Sequence, residues 1–471
     1  MNVRLIILVI SLSILSFNTQ AADTQKSKKP NIIILLADDM GYGELGAYGQ
    51  KVIKTPNIDK LAEQGMLFTD FYAGTSVCAP SRAVLMTGQH TGHASIRGNH
   101  GYSEEGKWGR VALKKNEVTL AEMLKDAGYQ TGMVGKWHLG VPEDTSTWAQ
   151  GRGFDYALQE QWGKSASGDT YDEREHWLTI DGRTSSAFYD YNKYSCLDEF
   201  RTNHALGFLD GKKTNQPFFL YMSYRSPHAH EFFLSKNDLY PEHKQEWPEI
   251  ERRHAARITM LDQQIQRLLD KLEQLGELEN TFILFTSDNG PHNENHHDRH
   301  FFESSGGLKG YKRDVYEGGV RIPAIAFWKG KIKPGKTDHL AAFYDVMPTL
   351  AELANTNTPM QSDGISFLPE ALGEKQTKHE FLYWEIQEGT TVKGFRQAVR
   401  MDNWKAVRYA NQYKTELYNL EDDLLEQKDV AAAHPKLVAQ AELILKREST
   451  LNSRYPFAGG VWKTKKNTGG K

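Results

Sequence analysis

An α/β fold, with a parallel sheet covered by helices on both faces, follows from three features of this 471-residue sequence. Short stretches that are almost wholly apolar, such as residues 31–36 (Asn-Ile-Ile-Ile-Leu-Leu), read as strands buried on both sides. Helical segments alternate with these stretches, as the crossovers of a parallel sheet require. After about residue 375 the pattern turns to short, turn-separated strands and one last helix, which predicts a small antiparallel sheet.

Residues 1–22 read as a secretory signal peptide: Arg4 supplies the positive start, residues 5–15 the apolar stretch, and Ala21 or Ala22 the small cleavage residue. That stretch is too short to span a bilayer, and no cysteine follows it to carry a lipid. The mature chain is expected to be exported, periplasmic or secreted, with no stable membrane insertion. Residues 23–375 are expected to form an N-terminal α/β domain and 376–471 a C-terminal subdomain. After the first strand, Thr55-Pro56-Asn57 opens a helix that stops at Gly65, with Thr55 as its cap. Residues 66–72 then read as a strand. A helix over 119–127 is closed by Gly128 and followed by a strand over 131–134. Residues 163–194, charged and aromatic without periodicity, read as surface loops. Residues 218–223 form another buried strand. The clearest helix covers 252–275, where Ile258, Leu261, Ile265, Leu268, Leu272 and Leu275 step by threes and fours before Gly276. A strand over 281–286 follows at once. The C-terminal part supplies strands at 381–385, 397–400, 405–409 and 416–418, a helix at 435–447, and a polar end from Lys463.

A formal charge of −3 gives no electrostatic case for nucleic acid, and 39% apolar content suffices for one large core or two unequal ones. In an oxidising compartment, two cysteines, Cys78 and Cys196, would ordinarily invite a disulfide. The surroundings of Cys78 argue for another use. It stands at the mouth of an apolar helix, with Pro80 in the first turn and Arg82 one turn on. A helix start favours anions, and an arginine beside it favours planar oxyanions. Three further polar groups follow expected strands: Asp38-Asp39, Asp288-Asn289 and, across a short turn, His228. Strand ends are where ligands gather in open α/β sheets. The oxygen donors of the two pairs suit Ca²⁺ or Mg²⁺ better than zinc. Lys136 and His138 alternate off one strand end and so point the same way.

The wording of these segments adds a resemblance. Cys78-Ala-Pro80-Ser81-Arg82, followed by Thr87-Gly88, resembles the signature of the type I sulfatases, whose cysteine is oxidised to formylglycine during export. Residues 128–138 (Gly-Tyr-Gln-Thr-Gly-Met-Val-Gly-Lys-Trp-His) are similar to that family's second signature. Residues 310–323 resemble the stretch that delivers a lysine to the sulfate, where spacing from Tyr316-Glu317-Gly318-Gly319 selects Lys312 over Lys309. The resemblance spans about residues 29–432. It implies the alkaline phosphatase-like fold, a large mixed, mostly parallel sheet between helices with a small C-terminal antiparallel sheet. It implies a cation, expected to be one Ca²⁺ per chain, held by Asp38, Asp39, Asp288, Asn289 and the modified Cys78. Arg82 would steady the formylglycine, His138 would bond its diol, Lys136 and Lys312 would neutralise sulfate, and His228 would face the leaving oxygen. A formylglycine-generating enzyme would be a maturation partner, and a sulfated carbohydrate the substrate. One hydroxyl of the hydrated aldehyde would attack sulfur, and the other would then expel sulfate.

Substrate preference is the less determined part. Residues 292–300 (His-Asn-Glu-Asn-His-His-Asp-Arg-His) depart from the glycine-rich loop of related bacterial sulfatases. His296, His297 and Arg299 there, with Arg97 and Asn99 after the Cys78 helix, are candidates for holding the sugar, and His230 for sharing the site of His228. Two alternatives remain: a phosphoester or phosphonate hydrolase on the same scaffold, and a non-catalytic sulfated-glycan binder whose Cys78 is never oxidised.

Overall fold

Strand β1 (Asn31–Asp38) is buried along its whole length, and from Ile32 to Ala37 it carries no polar side chain. Such a strand needs neighbours on both edges and cover on both faces. In the computed structural model, which describes residues 28–160, 175–190, 192–229, 238–409 and 414–459, it has them. β1 pairs in parallel with β3 (Phe218–Pro227) on one side and with β4 (Thr281–Ser287) on the other. β3 pairs in parallel with β2 (Gln130–Gly135), and β2 with Tyr156–Glu160. Antiparallel pairings extend these five strands in both directions: Ala324–Phe327 and then Met66–Phe68 beyond β4, Glu175–Ile180 and Arg183–Phe188 at the other edge. Gly335–Thr337, parallel to Met66–Phe68, completes a sheet of ten strands. The α/β class and the mixed, mostly parallel sheet are as expected.

Side chains alternate between two cores. Ile32, Ile34 and Leu36 pack with Tyr221 and Leu284 under α2 (Cys78–Thr87) and α3 (Leu120–Asp126). Ile33, Leu35 and Ala37 pack with Leu220 and Phe285 under α1 (Pro56–Gln64), α4 (Leu197–Asp210) and α5 (Glu249–Gln274). α3 begins one residue later than expected because Thr119 is its cap, in a reciprocal box with Glu122.

Two expectations fail at the sheet's periphery. The single strand over 66–72 is broken: Met66–Phe68 joins the large sheet, while Phe71–Tyr72 pairs with Ala341–Ala342. Between them Asp70 is drawn to Arg321 and Arg400, each at 2.8 Å. The stretch read as surface loops contains the hairpin Glu175–Ile180/Arg183–Phe188, turned at Asp181-Gly182 with φ of 47° and 80°. Arg183 to Ser186 are solvent-exposed on an edge strand, so no apolar alternation announced them. Residues 161–174, residues 1–22 expected to be a signal peptide, and the end from Lys463 lie outside the described residues.

The C-terminal strands Leu382–Gln387, Phe395–Met401, Trp404–Tyr409 and Lys414–Asn419 form a four-stranded antiparallel meander, as expected. One face, with Trp384, Ala398 and Val407, joins the first core. The other, with Tyr383, Val399 and Leu417, is covered by helix Pro435–Arg447 through Ala441 and Leu445. Among the described residues no helix is long and apolar enough to cross a membrane.

Candidate active site

Parallel pairing brings the carboxyl ends of four strands to one side. Ala37 is level with Ser287, Asp38 with Pro227, and Ser223 with Gly135. The residues that end or follow those strands, Asp38, Asp39, Asp288, Lys136 and His228, therefore meet in one place. Helix α2 supplies the rest. Ser81 donates to the Asp288 carbonyl at 2.5 Å, and Asn99 Oδ1 accepts from Ala79 N at 3.0 Å, which fixes Cys78 at the first helical position. Asp39 and His138 have positive φ, 65° and 60°. For such residues this costs about 1 kcal/mol or more and is tolerated where a site requires it.

Apart from half-buried Asn99 these side chains are buried, and charge organises them. Lys136 Nζ lies 2.7 and 2.6 Å from the two oxygens of Asp38. Lys312 Nζ lies 2.7 Å from Asp39 Oδ2 and 3.3 Å from His228 Nε2. Arg82 pairs with Asp288 at 2.8 Å and reaches Asp38 at 3.5 Å. Three carboxylates thus face three cations, yet the carboxylates are not equally served. Burial pushes Asp38 up, but Lys136, Arg82 and Arg225 together hold it well below the usual range. Burial wins at Asp39, with Asp38's charge adding to it, and raises its pKa. Burial and the charge of Asp38 push Asp288 up to about 7, against Arg82. Asn289 Nδ2 donates to Asp39 Oδ1 at 2.7 Å, and its Oδ1 is buried with no hydrogen-bond partner among the described residues.

Crowded carboxylates and an orphaned amide oxygen are what a hard divalent cation relieves. Its net charge would also turn a neutral cluster into an anion site. Asp38, Asp39, Cys78 and His228 each offer an atom within 4.8 Å of the others. Cys78 Sγ is 3.8 Å from Asp39 Oδ1. Burial raises this thiol far above its ordinary pKa despite Lys136 and Lys312, so as a thiol it stays protonated and is a poor nucleophile. Burial, then Arg225 and Lys312, keep His228 neutral; burial and Arg110 do the same for His138.

The sulfatase profile matches residues 30–356, and that of the N-sulphoglucosamine sulphohydrolase C-terminal region matches residues 309–451. The chain belongs to the sulfatase family. It is a sulfuric ester hydrolase. Arylsulfatase of Hemicentrotus pulcherrimus is 33% identical over 80% of this chain and 67% of its own length. An N-acetylgalactosamine-6-O-sulfatase of Bacteroides thetaiotaomicron is 29% identical over 92% and 95%. Among solved structures, Ps i-CgsB in complex with k-i-k-neocarrahexaose superposes with a TM-score of 0.76 at 26% identity, over 93% of this chain and 97% of that one.

Within this sulfatase, Lys312 and not Lys309 lies at the cluster; Lys309 Nζ is held by Tyr418 Oη and the Glu426 carbonyl at 2.9 and 3.0 Å. Arg82, expected to steady the formylglycine, spends its guanidinium on Asp288, Ser223 and the Lys136 carbonyl. It braces the carboxylates. Two substrate-binding expectations are corrected. Arg97 is buried and consumed by Glu385 at 2.6 Å and by the Thr450 carbonyl and hydroxyl at 2.8 and 2.7 Å, so it fastens the C-terminal sheet. His297 is only 2% exposed, bonds Glu251 Oε2 at 2.7 Å and stacks on His254, so it is interior. His296 is exposed on the same loop, and half-buried Arg299 lies over the Tyr311 ring at 4.7 Å. His230 lies outside the described residues. Cys78 and Cys196 are both buried and not disulfide-linked.

Sequence reasoning missed Arg225, Glu160 and Glu294. Arg225 bonds both oxygens of Glu160 at 2.9 Å and approaches Asp38 to 3.6 Å. Glu294 holds Lys312 at 3.2 Å and Arg313 at 2.7 Å, and these cations bring it down to about 2 against the pull of burial. Glu160 and Arg225 come from different strands, and no local pattern joins them. Glu294 stood in the flagged loop, where its charge was the one available signal.

Proposed function

We propose that this chain is an exported sulfatase that removes sulfate esters from a sulfated glycan oligosaccharide, with Cys78 converted to formylglycine beside one Ca²⁺. The observation that carries this reading is the place of Cys78: at the first position of α2, buried among Lys136, Lys312 and three carboxylates, with Sγ 3.8 Å from Asp39 Oδ1. The family uses formylglycine and a metal ion, and relatives named for N-acetylgalactosamine-6-O-sulfate and a neighbour holding a neocarrahexaose favour a sugar substrate.

Asp38, Asp39, Asp288 and Asn289 would hold the cation, an assignment supported by their oxygen-only donors and the orphaned Asn289 Oδ1. When present, cation and hydrated aldehyde would supply an activated hydroxyl and a second hydroxyl on the same carbon. The chain's own residues do the remainder. Lys312 and Lys136 place positive charge where sulfuryl oxygens gain negative charge. His228 Nε2, facing Lys312 Nζ at 3.3 Å, is placed to pass a proton to the leaving alcohol once the anionic substrate offsets the cations that keep it neutral. Arg82 and Arg225 hold Asp288 and Asp38 in place. Export rests on residues 1–22, and maturation on a formylglycine-generating partner.

The test is sulfate release from ulvan, carrageenan, fucoidan and glycosaminoglycan oligosaccharides, read beside the mass of the Cys78 peptide. Expected are sulfate from one glycan class and a formylglycine mass. Phosphate release from phosphoesters without sulfate release, or an unmodified Cys78 in active enzyme, would overturn the reading.

A further inference from the structure

Behind His228 lies a second cluster that the reaction does not use. His254 and His292 are fully buried and His297 nearly so, and each offers a ring nitrogen within 4.8 Å of the others. Two of the rings are oriented by carboxylates. His254 Nε2 faces Glu44 Oε1 at 2.6 Å, and His297 Nδ1 faces Glu251 Oε2 at 2.7 Å. Those carboxylates are anchored in turn: Gly41 N donates to Glu44 at 2.7 Å and Asp298 N to Glu251 at 2.8 Å. Each ring therefore turns its other nitrogen inward, and both His254 Nδ1 and His297 Nε2 are buried without a hydrogen-bond partner among the described residues. A buried polar atom without a partner is costly, so two in one histidine cluster call for a ligand. His292 Nδ1 holds only a long 3.2 Å contact from Glu294 N.

We propose that His254, His292 and His297 form a buried three-histidine site for a nitrogen-preferring divalent cation, Zn²⁺ in first place. A carboxylate behind a ligating histidine fixes its tautomer and raises its basicity, and here two of three have one. Soft-to-borderline ions favour imidazole, whereas the oxygen-only cluster beside it favours Ca²⁺, so the two sites select different metals. The rings must fan out from their present arrangement: His254 and His297 stack at 14°, while tetrahedral zinc wants nitrogens about 3.3 Å apart. Arg257 sits on the His228 carbonyl at 2.7 Å and opposes a nearby cation, with Glu44 and Glu251 on the other side of the balance. The inference does not rest on the substrate or on formylglycine.

The experiment uses the whole mature chain in Ca²⁺-containing buffer, stripped with 1,10-phenanthroline and titrated with Zn²⁺ or Co²⁺ alone. Expected are one equivalent of Zn²⁺ bound below micromolar, a rise in thermal midpoint, and with Co²⁺ the intense visible band of a tetrahedral nitrogen site. His254→Ala and His297→Ala should lose all three. His93→Ala, in a cluster whose nitrogens already face Asp363 and Glu448, should keep them. No Zn²⁺ uptake by the wild type, the faint Co²⁺ spectrum of an oxygen site, or undiminished binding in folded His297→Ala would each overturn the proposal. If the alanine variants do not fold, the wild-type Co²⁺ spectrum alone decides.

Discussion

Two buried charge clusters in this sulfatase each set three carboxylates against at least three cations, with opposite character. At the seam between the large sheet and the C-terminal meander, Glu317, Asp70 and Glu426 meet Lys405, Arg321 and Arg400. At the strand ends, Asp38, Asp39 and Asp288 meet Lys136, Lys312 and Arg82. In the seam the signs interleave. Glu317 receives Lys405 at 2.7 Å, Arg321 at 3.1 Å and the Tyr72 hydroxyl at 2.7 Å, and against the cost of burial Lys405 and Arg321 bring it down to about 2. In the catalytic cluster the carboxylates converge and the cations stand outside them, so Asp288 rises to about 7 and Asn289 Oδ1 goes unmet. Among the described residues the seam's counterpart is Glu426, pushed up to about 7 by burial and the charge of Glu317, with Lys405 Nζ 3.3 Å from its Oε1 to offset it. Charge count does not distinguish a site from a strut. The arrangement of like charges does.

The largest expected effect falls on the group at the centre of the strained cluster. Cys78→Ala should lower kcat by about 10³-fold or more with the thermal midpoint nearly unchanged, because a buried methyl replaces a thiol that makes one 3.8 Å contact. Steady-state desulfation and a melting curve on the same sample check both halves. Residual turnover near wild type would remove Cys78 from the chemistry.

Next comes a pair that sets the clusters against each other. Glu317→Gln breaks a satisfied network and leaves Lys405 underpaired, at a cost of about 3–5 kcal/mol. Specific activity of the surviving folded enzyme should be kept. Asp288→Asn should do the reverse: activity falls by about 10²-fold or more while stability in chelator holds or rises, since a repelled carboxylate has been removed. If both variants lost stability alike, the contrast between strut and site would fail.

A smaller effect is carried by protons. Asp288 has its folded pKa raised to about 7, above the unfolded value, so the folded form binds more protons between the two. Its contribution is fully present below about pH 4 and is lost as pH rises through about 7. In chelator the Asp288 part of the thermal midpoint should therefore fall from pH 5 to pH 8, against a rise from buried His138, His228, His254 and His292, whose lowered pKa values favour the folded form as pH climbs through the imidazole range. Glu44, Asp262 and Glu426 are also raised and act in the same direction as Asp288, whereas Glu160, Glu294 and Glu317, brought down to about 2, act only at lower pH. The informative quantity is the difference. Saturating Ca²⁺, or Asp288→Asn, should flatten the Asp288 part of the slope, and an identical slope with and without Ca²⁺ would exclude a cation there.

How much of this was legible in the sequence follows the same physics. β1, β3 and β4 are apolar because parallel strands are buried on both faces, and burial leaves a readable run. The edge strand over 183–188 is mostly exposed and left none. Asp38-Asp39 and Asp288-Asn289 could be found because strand ends concentrate function. The bracing of Arg82 on Asp288 could not, since an arginine one turn from a cysteine looks the same whether it faces ligand or protein. His297 misled for a related reason: a histidine-rich stretch reads as a sugar-holding loop until Glu251 of a distant helix is seen to claim it. Pairings between remote elements are invisible to local pattern.

The smallest expected effect is at Asn99, a residue the sequence offered only as a weak substrate contact. Helix α2 opens at Cys78 with Val77 as its cap residue, and valine has no oxygen with which to satisfy the first-turn N–H groups. Asn99 Oδ1 meets one of them, Ala79 N, at 3.0 Å from twenty residues downstream. It thus does the work of an N-cap from a distance, next to the position whose placement decides catalysis. Asn99→Ala should cost about 1 kcal/mol of stability, as loss of a cap does. It should also lower kcat several-fold with KM unchanged, because a frayed first turn misplaces Cys78 without removing any group that holds substrate. Asn99→Asp keeps an acceptor for the same N–H and adds a charge that a helix start favours, so it should recover most of the stability. A rise in KM with stability untouched would return Asn99 to the sugar-binding role and leave the first turn of α2 anchored by Ser81 alone.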